Sequence, residues 1–318
     1  SEITARANAI IAEIEADYGT VFAKTEVTLN GEKDPGNRTQ ETNLGDLITD
    51  ALVWGAEQQG ETVDAAITNG GGIRATIEAG DITKKDVNTV LPFGNTLSIV
   101  KVTGAELLEA LEASTYCTPD ALGGFPQVSG IAFTVDTAKT YDAGSLYPDS
   151  TYHAPKSINR VTIQSVGGKP FDTKAVYTIA TNDFMAAGGD TYYAFKTASA
   201  NYDLGVPMDE VLMDYITTEL KGVVGDTYAK PQGRITVVKA AAPAEEPAKP
   251  VTPPAVKPAE PAADGGETSY TVVSGDCLWN ISYHFYGAGA KFTRIASANG
   301  LKPPYLINIG QVLVIPAA

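Results

Sequence analysis

Residues 63–75, VDAAITNGGGIRA, run from an apolar segment straight into consecutive glycines. An apolar run from Val63 to Ile67 that stops abruptly at Asn69-Gly70-Gly71-Gly72 predicts a buried strand ending in a glycine loop. Glycine has no Cβ, so the backbone of such a loop can pass close to a ligand, with Asn69 and Arg74 flanking it. Taken alone the motif has an ordinary reading too: the glycines turn the chain and Arg74 is a solvated surface residue.

Helices and strands extend on both sides of this turn. Ile3, Ala7, Ile10, Ile11 and Ile14 fall at helical spacing and predict an opening amphipathic helix. After a loop at Gly31 to Asn37, a second helix carries Leu44, Leu47, Ile48, Ala51 and Leu52 on one face, with Asn43 or Thr42 as its cap. Downstream, Thr96 to Val102 alternates as a strand would. Thr103 to Glu106 then forms a capping box before Leu107, Leu108 and Leu111. Further strands are expected at Arg160 to Ile163, Val176 to Ala180 and Ile235 to Val238, and another helix at Val211, Leu212, Tyr215 and Ile216. Helices and strands mixed without strict βαβ alternation predict an α+β fold.

At 318 residues and 43% hydrophobic composition, the chain can bury one sizeable core and a second small one. A net charge of −15 and the lack of any Lys/Arg run exclude nucleic acid as an expected partner. An anionic ligand would have to be held by individual arginines in a cleft, against the overall field. Cys117 and Cys277 offer neither a disulfide framework nor a metal cage, and His153 and His284 lack metal-ligand spacing, so no bound metal is expected. No stretch approaches the roughly 18 to 20 apolar residues of a membrane span. No signal peptide opens the chain, and its first residues read as a cut inside a longer protein.

From Ala240 to about Glu267 the sequence is almost wholly Ala, Pro, Glu and Lys without apolar periodicity. This predicts a linker, residues 240–267, between a large domain, 1–239, and a small one, 268–318. Polyproline-type extension would let it reach several tens of ångströms. The small domain has strand-like ends at Tyr270 to Val273 and Val312 to Ile315 with helical patterning between them.

Three further motifs accompany the glycine loop. In NRTQETNLGDLITDA, Arg38 precedes a helix start, where a guanidinium beside a positive helix end can face an anion. In LPFGNTL, proline before Phe93 and Gly94-Asn95 after it make a turn that can display the ring instead of burying it. In TNDFMAAGGDTYYAF, Phe184 and Asp190 bracket Gly188-Gly189 after an apolar strand. Each has a structural alternative: surface arginine, core phenylalanine, turn aspartate.

Order and wording of the four motifs together resemble the C-terminal domain of the 5'-nucleotidase and UDP-sugar hydrolase family, over about residues 1 to 239. The resemblance implies a mixed-sheet domain that binds the nucleoside part of a substrate. Matched motif by motif, Phe93 and Phe184 would sandwich the base, Asp190 would accept from the ribose hydroxyls, and Arg38 and Arg74 would contact the phosphate. Asn69, Gly71, Gly72, Asn95 and Gly130 would line the same pocket. Some relatives carry a second arginine just before the ETNLG helix, where this chain has Gln40 near Arg38. The family's hydrolytic chemistry resides in an N-terminal metallophosphoesterase domain with two divalent metals, and no matching ligand set occurs here. The 318 residues are therefore expected to bind but not to hydrolyse, and the opening helix resembles the interdomain helix of relatives.

The tail YTVVSGDCLWNISYHFYGAGAKFTRIASANGLKPPYLINIGQVLVIP resembles a LysM module almost throughout. That likeness implies a βααβ fold binding N-acetylglucosamine-containing glycans such as peptidoglycan. Its groove would lie between Gly275, Asp276, Cys277 and Leu278 on one side and Leu306, Ile307 and Asn308 on the other, with Cys277 replacing a usual threonine. Trp279, Ile281 and Ile295 are expected in the core. The whole reads as the substrate-binding part of a secreted phosphohydrolase, held at the cell wall or in the periplasm. A 2',3'-cyclic phosphodiesterase, 3'-nucleotidase or UDP-sugar hydrolase, or a non-catalytic wall-anchored binding protein, remain the alternatives.

Overall fold

The computed structural model describes residues 3–4, 6, 8–9, 16–238, 268–272, 278–286, 291–302, 307 and 311–317. The chain clusters into two units, Ser1–Ala244 and Glu245–Ala318. Of the opening helix, residues 3–4, 6, 8–9 and 16–18 are helical and Ile3 is exposed, while Ala7, Ile10, Ile11 and Ile14 lie outside the described residues, as does the linker 240–267.

The first unit is built on a five-stranded mixed sheet in the order β12 (Ala200–Pro207), β4 (Thr96–Thr103), β11 (Val176–Asn182), β2 (Ala65–Asn69), β5 (Pro126–Ser129). Only β11 and β2 run parallel. Both faces are covered, which explains why Leu97 to Val100 are all buried although strand side chains alternate. Leu97 and Ile99 enter one core with the helices α1 (Asn43–Gln58), α2 (Lys84–Val90) and α6 (Met208–Asp214). Val100 and Val102 enter the other, with α3 (Gly104–Ser114) and α5 (Tyr193–Lys196). The expected alternation in this strand is therefore between two apolar interiors, not between core and water.

That second core is closed by a four-stranded sheet, β10 (Lys169–Pro170), β9 (Val161–Val166), β6 (Ile131–Asp136), β14 (Ile235–Val238), whose Phe133, Val135, Val161, Ile163 and Ile235 point inward. A three-stranded sheet, β13 (Val223–Val224), β1 (Val21–Thr25), β3 (Gly80–Thr83), and a hairpin of β7 (Asp142–Leu146) and β8 (His153–Ser157) complete the sheets of this unit. Short α4 (Asp183–Ala186) follows β11, and a π-helical turn continues α6 through Glu219.

Local signals settle the helix ends. Thr42, not Asn43, caps α1: its Oγ1 accepts from the Gly45 amide at 3.1 Å. Asn43 instead donates to the carbonyls of Thr28 and Tyr228, at 2.9 and 2.7 Å, tying distant segments together. The capping box before α3 forms as expected, with Glu106 Oε2 accepting from the Thr103 amide at 2.7 Å and Thr103 Oγ1 from the Glu106 amide at 3.2 Å. Such a box contributes about 1 kcal/mol to the helix. Arg234, just before β14, clamps the end of the domain onto α1 by donating to Asp50 Oδ2 at 2.8 Å and to the Val128 carbonyl at 2.9 Å, with Asp46 at 3.6 Å. Glu41 and Asp46 receive the backbone amides of Gln232, Arg234 and Ile235.

In the second unit, β15 (Thr268–Thr271) pairs antiparallel with β16 (Val312–Ile315), and the chain between them forms α7 (Leu278–Tyr286) and α8 (Phe292–Ala298). The core is Val272, Leu278, Ile281, Ile295, Ala296, Leu313 and Ile315. Ile281 and Ile295 are thus buried as the sequence predicts. The side chain of Trp279 is outside the described residues.

Candidate functional site

The register of the central sheet brings one set of strand ends together. β2 finishes at Asn69 opposite Pro126, the first residue of β5, and β11 finishes at Asn182 opposite Leu97 near the start of β4. Asn69, Asn182, Asn95 and the Gly123-Gly124 segment preceding β5 therefore meet at a single edge of the sheet, beyond both cores. A cleft of about 420 Å³ opens there, lined by Arg38, Asn69, Gly71, Gly72, Phe93, Asn95, Gly123, Phe184 and Asp190.

Eight residues singled out from the sequence thus share one cavity; Gly123 is an addition. Two do not line it. Arg74 joins from the adjoining turn: its Nη1 donates to the Gly71 carbonyl at 3.2 Å and its guanidinium lies 5.6 Å from the centroid of the Phe93 ring. Gly130 lies apart from the cleft. It sits at the opposite end of β5, beyond Ser129, which pairs with Ala66, and a Cβ there would lie 2.6 Å from the Asp64 carbonyl oxygen. Its φ of +74° shows why glycine occupies this corner between β5 and β6: the backbone bends there in the left-handed region.

Both phenyl rings face solvent, Phe93 at 59% and Phe184 at 43% exposure, although each could have been packed in a core. Phe184 is seated end-on against Gly189, where a Cβ would come within 2.5 to 2.6 Å of its ring atoms. Gly71 is equally close to the opposite wall: its amide donates to the Gly123 carbonyl at 2.7 Å, and a Cβ would lie 2.9 Å from that oxygen. The glycines are needed for close approach between cleft walls.

Asp190 occupies the left-handed region, φ +52°, which aspartate tolerates better than most side chains. Its Oδ2 accepts from Asn69 Nδ2 at 3.1 Å. Burial pushes its carboxyl above the usual range, while the Asn69 hydrogen bond and the Arg38 charge pull it back. Arg38 is half-buried on the loop before α1, and its Nε is enclosed without a hydrogen-bond partner. Gln127 of β5 holds that loop, donating to the carbonyls of Asn37 and Gln40 at 3.1 and 2.8 Å. Neither Gln127 nor Asn182 stood out in the sequence, because a buried amide inside an apolar strand carries no periodic signal. Chemically, the cleft offers two ring faces, one carboxylate and the Arg38 guanidinium.

Among the described residues, no group of three or more His, Cys, Asp or Glu is placed to hold a metal ion. No helix among the described residues is long and apolar enough to cross a membrane. In the second unit, Gly275, Asp276, Cys277, Leu306 and Asn308 lie outside the described residues. Leu278 is buried in the core and Ile307 packs against it.

Two family models match the chain: 5'-nucleotidase, C-terminal domain, over residues 21–197, and LysM domain over residues 270–316. The trifunctional nucleotide phosphoesterase protein YfkN of Bacillus subtilis (strain 168) is 38% identical over 230 residues, 71% of this chain and 14% of that protein. Cell wall protein Lmo0130 of Listeria monocytogenes is 32% identical over 206 residues, 62% of this chain and 24% of that protein. The crystal structure of a 5'-nucleotidase precursor from Thermus thermophilus superposes with a TM-score of 0.60 at 34% identity, covering 73% of this chain and 42% of that one. The chain therefore spans less than half the length of these relatives.

Proposed function

The chain belongs to the 5'-nucleotidase C-terminal-domain family, and from that premise we propose that its first unit is the nucleoside-binding half of a secreted nucleotide phosphohydrolase held at the cell wall by the LysM unit. The observation that carries this reading is the pairing of two exposed phenyl rings with one acid in a single cleft. Flat rings stack on any base at about 1 to 3 kcal/mol each. Asp190 accepts from the vicinal hydroxyls of a ribose, which a charged acceptor binds more strongly than a neutral one. Arg38, which lines the cleft, and Arg74, beside Phe93, supply the phosphate side.

Hydrolysis is assigned to a separate N-terminal metallophosphoesterase domain. The division is supported by coverage: the chain spans only 42% of the Thermus structure. Retention at the wall is supported by the LysM match and by the name of the Listeria relative.

Titration of the full chain with adenosine and with adenosine monophosphate tests the binding half. Saturable binding that is weakened at least tenfold by Phe184→Ala is expected, and binding indifferent to that change would refute it. A phosphate-release assay with adenosine monophosphate and a divalent metal tests the division. Robust turnover by these 318 residues alone would overturn it.

A further inference from the structure

Asn182 is buried outside the cleft, on a small adjoining cavity that shares Gly72, Phe93 and Asn95 with it. Its Oδ1 accepts from the backbone amide of Met185 at 2.8 Å. A backbone N–H can only donate, so this bond fixes which end of the amide is oxygen. The Asn182 Nδ2 then donates to Thr68 Oγ1 at 3.2 Å and to Asn69 Oδ1 at 3.1 Å. With its oxygen thus engaged, Asn69 must present Nδ2 to Asp190, and it does so at 3.1 Å. Each amide in the series is oriented by the one before it, and the series starts at a helix-initiating backbone amide that cannot reverse.

We infer that Asn182 is a positioning residue that acts through Asn69 to hold Asp190 as an oriented hydrogen-bond acceptor, and thereby sets the cleft's preference for ligands with a ribose-type diol. This rests on the nucleoside reading for its ligand, but not for its effect on Asp190. Without the series, Asn69 is no longer held against the carboxylate, and the hydrogen bond that pulls the Asp190 carboxyl down is weakened. The carboxylate would be pushed further above its ordinary range, beyond the effect of its burial. Other groups near Asp190 are Arg38 from the loop before α1, Tyr152 from the hairpin and the adjacent Tyr192, with Lys196 across the neighbouring cleft. None of them touches Asn182 in any hydrogen bond described above, so altering Asn182 leaves them in place.

Two variants separate this role from the capping of α4. Asn182→Ser keeps a good helix cap, adds no charge and is too short to reach Asn69. Asn182→Asp keeps the acceptor for Met185 but cannot donate. In the full chain, the Asp190 carboxyl is followed by carbon-13 NMR titration, assigned with Asp190→Asn, and the affinities for adenosine and 2'-deoxyadenosine are measured across pH. In both variants the Asp190 midpoint is expected to rise by roughly one pH unit, the acid limb of adenosine binding to move with it, and discrimination against 2'-deoxyadenosine to fall about tenfold. In an Asn69→Ala background, Asn182→Ser should no longer move the midpoint. A wild-type midpoint in Asn182→Ser would overturn the inference, as would an equal shift in the Asn69→Ala background. If the midpoint moves as expected while the unaltered chain binds no nucleoside, the positioning role stands and the nucleoside reading falls.

Discussion

Replacing Gly189 by alanine tests whether Phe184 is a ligand platform or packing. The added methyl would lie 2.5 to 2.6 Å from three atoms of the Phe184 ring, closer than any Cβ contact can be, so the ring has to leave its seat. The Gly189 backbone itself tolerates the change, since it is not among the residues with positive φ. Alanine also restricts the unfolded chain, which favours folding by about 0.4 to 1 kcal/mol and offsets local crowding. Folding stability is therefore expected to change little, because the ring is 43% exposed and contributes little to the core. Affinity is another matter. If stacking on Phe184 supplies about 1 to 3 kcal/mol, displacing the ring weakens adenosine binding about 5- to 150-fold. Calorimetric titration read beside a thermal melt gives both quantities. A cycle with Phe184→Ala sharpens the result: two substitutions that act on one ring cannot add, so the double variant should bind no more weakly than Phe184→Ala alone. Affinity unchanged in Gly189→Ala, or full additivity in the cycle, would show that Phe184 is not the platform.

Three further outcomes are expected. Arg38→Ala should weaken adenosine monophosphate about tenfold while leaving adenosine within about threefold, since a hydrogen bond to a charged group is worth about 1.5 to 3 kcal/mol; equal losses for both ligands in a titration would remove Arg38 from the phosphate side. Burial, with Glu41 adding to it, pushes the Asp46 carboxyl up to about 8 against the pull of Arg234. A folded-state value above the unfolded one means the native form holds the proton more tightly, so this group's stabilisation is full below about pH 4 and is lost as pH rises toward 8. Melting followed from pH 5 to 8.5 should decline less in Asp46→Asn than in the unaltered chain, by at most about 1.4 kcal/mol per pH unit; parallel curves would contradict the assignment. Deleting residues 268–318 should abolish pull-down on purified peptidoglycan while leaving adenosine titration intact, and equal retention would eliminate the anchoring role.

Much of the site was legible because its residues sit where local rules are loud. Glycine runs, an aromatic displayed after proline and a capping threonine each announce a turn, and turns are where this sheet gathers the residues of its cleft. Strand Ile235–Val238 lies where its apolar spacing put it. Other strands escaped notice: Ala200–Pro207 is an edge strand of mixed polarity that resembles loop, and Val21–Thr25 is only five residues long, between two strands shorter still. The register of β2 against β5 fixes which end of each strand meets the cleft, and pairing between residues more than fifty positions apart leaves no local trace. Gly130, matched through the family likeness, sits at the far end of β5, which that register alone determines. Asn182 and Gln127 went unseen because their partners, Asn69 and the Asn37 carbonyl, are contributed by remote segments.

The route by which the chain leaves its first unit has a mechanical consequence. The final strand, β14, lies parallel to β6, with Ile235 to Val238 matched to Phe133 to Asp136. Tension applied along the residues after Val238 would load those rungs in shear, so that they share the force instead of opening one at a time. At the strand's start, Arg234 grips the carboxylate of Asp50 and the Val128 carbonyl, an anchor bolt behind the rungs. A pull transmitted through the residues after Val238 would therefore meet the domain at a point built to resist peeling.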